Sequence, residues 1–400
     1  MSNTLLNTSK ILDESLMILE NNLVMTSRIN REYSDQFARS GAKVGATVNV
    51  RKPVRFMGRT GPNLAVENVA ETVVPVTLDT QIGVDFQFSS TELTLNIDEF
   101  ANRYIKPAMA NIANRIDLSC TSLYTTVANQ IGTAGTTPSD ISVLLNAGAR
   151  LDQEAAPRDG QRCVVWDPAA NAAMVKGAAG LFNPSSKVGS QYESGIFVPA
   201  LGFDIGMDQN IVQATAGSRT NGTVSGAGQS GASLLVTGLG AGGTVSAGDT
   251  FTIAGVYAVN PQSRQSTRVL RQFTVLNPAT ADGSGNATLS IFPAINTAAS
   301  NGQYQTVTAG PANAAVVAWD VAPGTQYTVN LAFHKDAFTL ATADLTVPDG
   351  VDMSGVRNHK GISIRMVRQY NINTDVFACR FDVLFGVRPI YSELAVRIAG

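Results

Sequence analysis

Val73-Val74-Pro75-Val76-Thr77-Leu78-Asp79-Thr80-Gln81-Ile82-Gly83-Val84-Asp85-Phe86-Gln87-Phe88 carries apolar side chains at 74, 76, 78, 82, 84, 86 and 88. Successive strand residues point to opposite faces, so a period of two held this long predicts a β-strand with one buried face. Ala46, Val48 and Val50 repeat the alternation upstream, and the turn-rich Met57-Gly58-Arg59-Thr60-Gly61-Pro62 lies between. The expectation is a long two-stranded ribbon with a Gly/Pro tip. Such a ribbon is marginal alone in water, so it must lean on the rest of its chain or on a neighbour.

Before the ribbon, Leu12, Leu16, Leu19 and Leu23 recur at helical spacing with Asp13, Glu14, Glu20 and Arg28 elsewhere on the wheel, which predicts an amphipathic leading helix. It too needs a surface, on its own domain or on another molecule. After the ribbon, Asn96 with Glu99 three residues on reads as a capping box opening a long spine helix, with Ile97, Phe100, Tyr104, Ala108, Ile112, Ile116 and Leu123 on one face. Pro107 falls inside that pattern and is a candidate bend.

Residues 136–215 read as mixed α/β, with Val164-Val165 a buried strand and Asp167-Pro168 a cap and first helical residue. From about Asn221 to Pro323 glycine, serine, threonine and alanine dominate, no lysine occurs between Lys187 and Lys335, and short strand candidates alternate with turns. They are Leu234–Val236, Thr250–Val256, Phe273–Val275, Ala287–Phe292 and Ala315–Trp319, the pattern of a small all-β barrel or sandwich set inside another domain. Alternation returns at Ile362, Ile364 and Met366 and at Phe377, Cys379, Phe381, Val383, Phe385 and Val387, which predicts two closing strands with Cys379 as a core thiol.

Charged residues make up 15% of the chain, against about 25% in an ordinary soluble protein. Part of the surface is therefore expected to be covered, most simply by copies of the same chain. A hydrophobic fraction of 44% and mean hydropathy of +0.06 supply sizeable cores and exclude wholesale disorder. Net charge of -2 and a pI near 5.8 argue against a dedicated basic face for nucleic acid. Asp13, Glu14 and Glu20 interrupt the first residues, so no signal peptide is expected, and no run approaches the roughly 20 apolar residues of a membrane span. Cys120, Cys163 and Cys379 are odd in number and lack CxxC spacing, so neither a disulfide framework nor a metal site is indicated.

Catalytic constellations are equally thin. Gly238-Leu239-Gly240-Ala241-Gly242-Gly243 fits GxGxxG, but strand-forming residues follow where a dinucleotide fold needs a helix, so a β-turn is expected. His334-Lys335-Asp336 is the one place where histidine meets other ionisable groups, and a structural role is expected there. No catalytic, cofactor-binding or metal residue is assigned. The ribbon offers Arg51, Lys52, Arg55 and Arg59 on one side and Glu67, Glu71, Asp79 and Asp85 on the other, charges suited to setting register against a neighbouring copy. Arg264, Arg268 and Arg271 stand out in the charge-poor β segment and join them as intersubunit contact candidates.

The order of parts, together with Glu92-Leu93-Thr94-Leu95-Asn96-Ile97-Asp98-Glu99-Phe100, Tyr104-Ile105-Lys106-Pro107-Ala108-Met109, Gly248–Val256 and Phe381–Pro389, resembles the major capsid proteins of tailed bacteriophages, and among them the P22 coat protein family. The resemblance implies an α+β, HK97-like capsid fold with an inserted all-β domain. Residues 1–43 would be the N-terminal arm, 44–90 the E-loop, 91–135 the peripheral domain with the spine helix, and 136–220 the axial domain. The inserted barrel would span 221–323, the axial domain would return over 324–360, and 361–400 would close the axial and peripheral sheets. It further implies a non-enzymatic coat protein that assembles as hexamers and pentamers into an icosahedral shell around double-stranded DNA, in the host cytoplasm. A separate scaffolding protein, a portal protein, non-specific DNA contact and room for a decoration protein come with it, and no membrane. Some HK97-type shells crosslink through a lysine near the E-loop tip; here Arg59 stands at the tip and Lys52 lies down the strand, so no crosslink is expected. Shell expansion would bend the spine helix at Pro107. The competing expectation, from the Gly/Ser/Thr-rich segment, is a secreted or surface fibre or adhesin subunit.

Overall fold

The computed structural model describes residues 8–33, 46–52, 54–56, 61–63, 66, 73–89, 104–178 and 201–400. The chain divides into two units, Met1–Lys52 with Val73–Cys120 and Phe338–Ile390, and Pro53–Thr72 with Thr121–Ala337 and Tyr391–Gly400.

The first unit is built on a sheet in which Asn30–Tyr33, Phe338–Ala343, Val376–Pro389, Ile362–Asn371 and Met353–His359 are successive neighbours. The leading helix, Thr8–Asn22, packs on the last two of these strands. Ile11, Leu12, Leu16 and Leu19 on the helix, and Leu23 just past its end, are all buried, so the apolar stripe finds its surface within its own unit. The helix after it is tied down by polar chemistry: both carboxylate oxygens of the buried Asp117 are used, Oδ2 accepting from Val24 N–H at 2.8 Å and Oδ1 from Thr26 N–H at 2.8 Å and Thr26 Oγ1 at 2.5 Å. Sequence pattern places Asp117 off the apolar face; the structure makes it the anchor of the arm.

The ribbon differs from expectation. Ala46–Arg51 pairs antiparallel with Val73–Leu78, from Ala46 opposite Leu78 to Arg51 opposite Val73. The strand then breaks at Asp79, and Thr80–Ser89 pairs with Val376–Pro389 instead, Thr80 opposite Phe385 and Ser89 opposite Val376. Alternation runs unbroken across the junction because both halves bury the same phase, so periodicity alone could not reveal the change of partner. The ribbon base also leans inward: Val76 and Leu78 are buried with Ala341, Ala343, Leu345 and Leu384. Gly386 permits this crossing, since a Cβ there would lie 2.0 Å from Thr77 O.

The spine helix is described as Lys106–Thr121, with Ala108, Ile112, Ile116 and Cys120 buried along one side. The Asn96 capping box lies outside the described residues. Pro107 is the second residue of this α-helical segment, and Tyr104-Ile105 just ahead are π-helical.

In the second unit the sheet order is Asn129–Gly132, Ala395–Ala399, Gln326–His334, Arg162–Trp166 and Asp204–Met207. Helices Ile141–Gln153 and Pro168–Ala178 cover it, placing Leu144, Ala147, Leu151, Ala170 and Met174 against Val164, Trp166, Ala332, Val396 and Ile398. Their N-termini are capped by Asp140, which accepts from Ser142 N–H, and by Asp167, which accepts from Ala169 N–H. Gln213–Thr215 pairs with the start of Gln326–His334, Thr215 opposite Gln326. Between those paired positions the chain makes a closed barrel of Gly222–Val224, Gly231–Thr237, Ala287–Ile295, Ser266–Val275, Thr250–Val259 and Val316–Trp319, so all five segments expected to be strands are strands. Closure removes exposed sheet edges, and Leu234, Val236, Phe251, Ile253, Phe273, Leu289, Ile291 and Val317 fill the interior. Gly238–Gly243 is the turn leaving one barrel strand, as its missing helix requires.

Candidate assembly surfaces

Charge is scarce in this chain, and the second unit spends much of it on docking the barrel to the sheet. Arg271, on the barrel strand Ser266–Val275, donates from Nη1 to Glu154 Oε1 at 2.6 Å, with both side chains at most 3% exposed. Next to it the amide of Gln272 imitates a strand: Oε1 accepts from Gln130 N–H at 3.0 Å and Nε2 donates to Gln130 O at 2.9 Å. Thr250 Oγ1 donates to Gln130 Oε1, and Thr274 Oγ1 to Thr125 O. Arg397 is fully buried and gives Nη1 to Gly248 O, while Arg219 Nη1 meets Asp249 at 2.9 Å and stacks 3.9 Å from the Trp319 ring centroid. Burial dominates the electrostatics here: it pushes the Asp249 carboxyl above its ordinary range although Arg219 opposes the shift, and it lowers Arg219 and Arg397.

These contacts correct one site expectation. Arg271, a candidate for contact with another copy, is buried on the strand, and its Nη1 is paired with Glu154 of the same chain. It shares strand parity with Phe273 and Val275, both buried, and that shared phase was a readable signal. Arg397 was missed; its signal was a lone cation in the apolar run Ala395-Val396-Arg397-Ile398-Ala399. Arg264 is half-buried and donates to Gly302 O, to Phe56 O at 3.1 Å and to Gln303 O at 3.3 Å. Arg268 is exposed on the strand at φ 59°, in a bulge, and its guanidinium makes no hydrogen bond or ion pair among the described residues.

On the ribbon, Arg51 is exposed and Lys52 half-buried. Arg55 lies 3.9 Å from Glu393 and 5.8 Å from the Tyr304 ring centroid. Asp79 is exposed and accepts from Thr80 Oγ1, and Asp85 sits 3.4 Å from Arg380 on the adjacent strand. Arg51 lies opposite Val73 on the ribbon, and the strand carrying Asp85 pairs with Val376–Pro389, Asp85 opposite Arg380. Arg59, Glu67 and Glu71 lie outside the described residues.

His334 and the three cysteines are all buried. His334 is buried, with Nε2 3.2 Å from Asp159 Oδ1 and Nδ1 accepting from Asp336 N–H at 3.3 Å. Burial pushes the Cys379 thiol up to about 12, and Cys120 and Cys163 are buried as well. Exposed large apolar side chains are spread over both units instead, among them Phe56, Leu145, Tyr257, Val269, Val316 and Ile372.

A charge-poor α+β chain with a barrel set between two paired strands, and apolar side chains left on the surface of both units, has the makings of a structural building block. Residues 2–400 match the family described as P22 coat protein - gene protein 5, and the chain belongs to that family. It is a major capsid protein, a subunit of the icosahedral shell of a bacteriophage virion. Solved structures similar to it include the bacteriophage PhiM1 mature capsid, with 11% identity over 92% of this chain and 85% of that one at a TM-score of 0.43. The capsid of Ralstonia phage GP4 is similar at 8% identity over 93% and 85% with a TM-score of 0.43. The virus-like particle from Pyrococcus furiosus is similar at 9% identity over 98% of each chain with a TM-score of 0.42. No curated protein sequence matches.

Proposed function

We propose that this coat protein is a non-enzymatic subunit with an HK97-type fold, whose barrel at 221–323 is the family's inserted domain and whose arm, E-loop, peripheral and axial parts follow the boundaries expected from sequence. Hexamers and pentamers form in the host cytoplasm around a separate scaffolding protein, join a portal protein, and enclose double-stranded DNA through non-specific contact. A decoration protein can bind outside. The observation that carries the proposal is the family match across residues 2–400. Support for an insertion comes from the chain leaving the sheet at Thr215 and rejoining it opposite, at Gln326. Arg51, Lys52, Arg55, Arg59, Glu67, Glu71, Asp79, Asp85, Arg264 and Arg268 are the remaining candidates for contacts between copies, and Arg268 leads them because its exposed guanidinium has no partner among the described residues. Bending near Pro107 on expansion draws support from the π-helical turn at Tyr104-Ile105.

Many weak contacts repeated around closed rings give a cooperative shell from subunits that need no strong pairwise bond. Co-expression of the chain with its phage's scaffolding protein, followed by electron microscopy, tests the proposal: closed isometric particles are expected, and trimers or rods would favour the fibre reading instead.

A further inference from the structure

Arg264 has φ 56°, a left-handed backbone that a β-carbon resists, at the end of a turn organised by Asn260. Asn260 Oδ1 accepts from Gln262 and Ser263 N–H, its backbone O from Arg264 N–H, and its Nδ2 donates to Gln153 O on the α/β body. The turn is thereby fixed, and so is the direction in which the guanidinium leaves it. That guanidinium reaches two carbonyls of the barrel's own chain, Gly302 O and Gln303 O, and one carbonyl of the loop limb, Phe56 O at 3.1 Å. The neighbouring Gln303 donates its amide to Arg55 O. Two consecutive main-chain carbonyls of the limb are therefore held by two side chains of the barrel. Arg55 itself turns to Glu393 and the Tyr304 ring.

Strained backbone at a residue that carries a specific contact is a common mark of function. We infer that Arg264 and Gln303 are positioning residues for assembly: a main-chain clamp by which the barrel holds the limb Val54–Phe56 and so gives the loop after it a fixed starting point from which to meet a neighbouring copy. The inference rests on the coat-protein reading of the loop and gives the barrel a task in that reading. The contacts to the limb carbonyls do not use the Phe56 side chain, which is 60% exposed beside a groove of about 460 Å³ lined by Val54, Ala155, Pro157, Pro261 and Leu394.

The test uses the full chain with Arg264→Gly, Arg264→Lys, Gln303→Ala and the Arg264→Gly/Gln303→Ala double variant. Glycine accepts the left-handed backbone, so losing the clamp there is not confounded with added strain. Free-chain melting temperatures should stay close to wild type, the rate of limited proteolysis after Arg55 and Phe56 in the free chain should rise at least tenfold, and the yield of closed particles on co-expression with scaffold should fall at least tenfold in the double variant, with Arg264→Lys between. An unchanged cleavage rate at the limb would overturn the clamp. Faster cleavage with a wild-type particle yield would overturn its role in assembly. If the wild type itself formed no closed particles, the coat-protein reading would fail, and cleavage of the free chain would still decide the clamp.

Discussion

The leading helix and the barrel are both appended to a sheet, and they are attached by opposite means. The helix is sealed by leucines at 12, 16, 19 and 23, with Asp117 closing its far end. The barrel is seated by Arg271 on Glu154, by the Gln272–Gln130 pair and by Arg397 on Gly248 O. Apolar seals lose stability in proportion to what is cut away. Buried ionic seals fail asymmetrically, because removing one partner strands the other in a medium that cannot solvate it.

The largest expected effect follows from that asymmetry. Glu154→Ala should destabilise the second unit by about 3–5 kcal/mol in denaturant unfolding. The double substitution Arg271→Met with Glu154→Leu should recover most of the loss; a double variant as unstable as the single one would break the comparison. Leu19→Ala, at the fully buried centre of the helix seal, should cost about 3 kcal/mol through lost transfer energy and a cavity. A loss below about 1 kcal/mol would mean that the helix does not use this surface in solution. Asp117→Asn should cost about 2 kcal/mol, since an amide cannot accept on both sides where Val24 and Thr26 both donate; increased proteolysis at 24–26 would report it.

A smaller effect concerns pH. Arg158 first, and then Arg162, hold the Asp152 carboxyl down to about 2. A lowered carboxylate pKa contributes stability above its unfolded value of about 4 and loses it as pH falls through the folded value. The wild type should therefore lose more stability than Asp152→Asn between about pH 4 and 2, by a modest amount because Arg158 is exposed and Asp152 partly so. The smallest effect is at Cys379, whose raised pKa and burial predict no measurable modification of the native chain by a thiol reagent at neutral pH.

The same contrast explains what could be read from sequence. Leucines at helical spacing announce the helix, and the Gly/Thr-rich run with its alternating strands announces the barrel. Whether the helix packs on its own unit or on a neighbour is not encoded in its own spacing, and both remained open until Ile11–Leu23 was placed on Met353–His359 and Ile362–Asn371. The ribbon was misread for the same reason: an edge of alternating residues states which face is buried and says nothing about the strand across from it. Of the contact candidates, Arg268 is exposed with no guanidinium partner among the described residues, while Arg271, three residues on, was drawn inside by strand parity. The clamp at Arg264 was out of reach, because its targets are carbonyls, which every residue has.

The central claim is that arm and ribbon base are completed within their own chain, so that shell contacts fall to what is left exposed. A residue-resolution map of the assembled particle tests it most directly. Leu12, Leu16, Leu19 and Leu23 should lie on the sheet of the same subunit, with Val76 and Leu78 beside that subunit's Leu384. Finding the helix seated on a neighbouring subunit, with its own sheet covered by another copy's arm, would contradict the account.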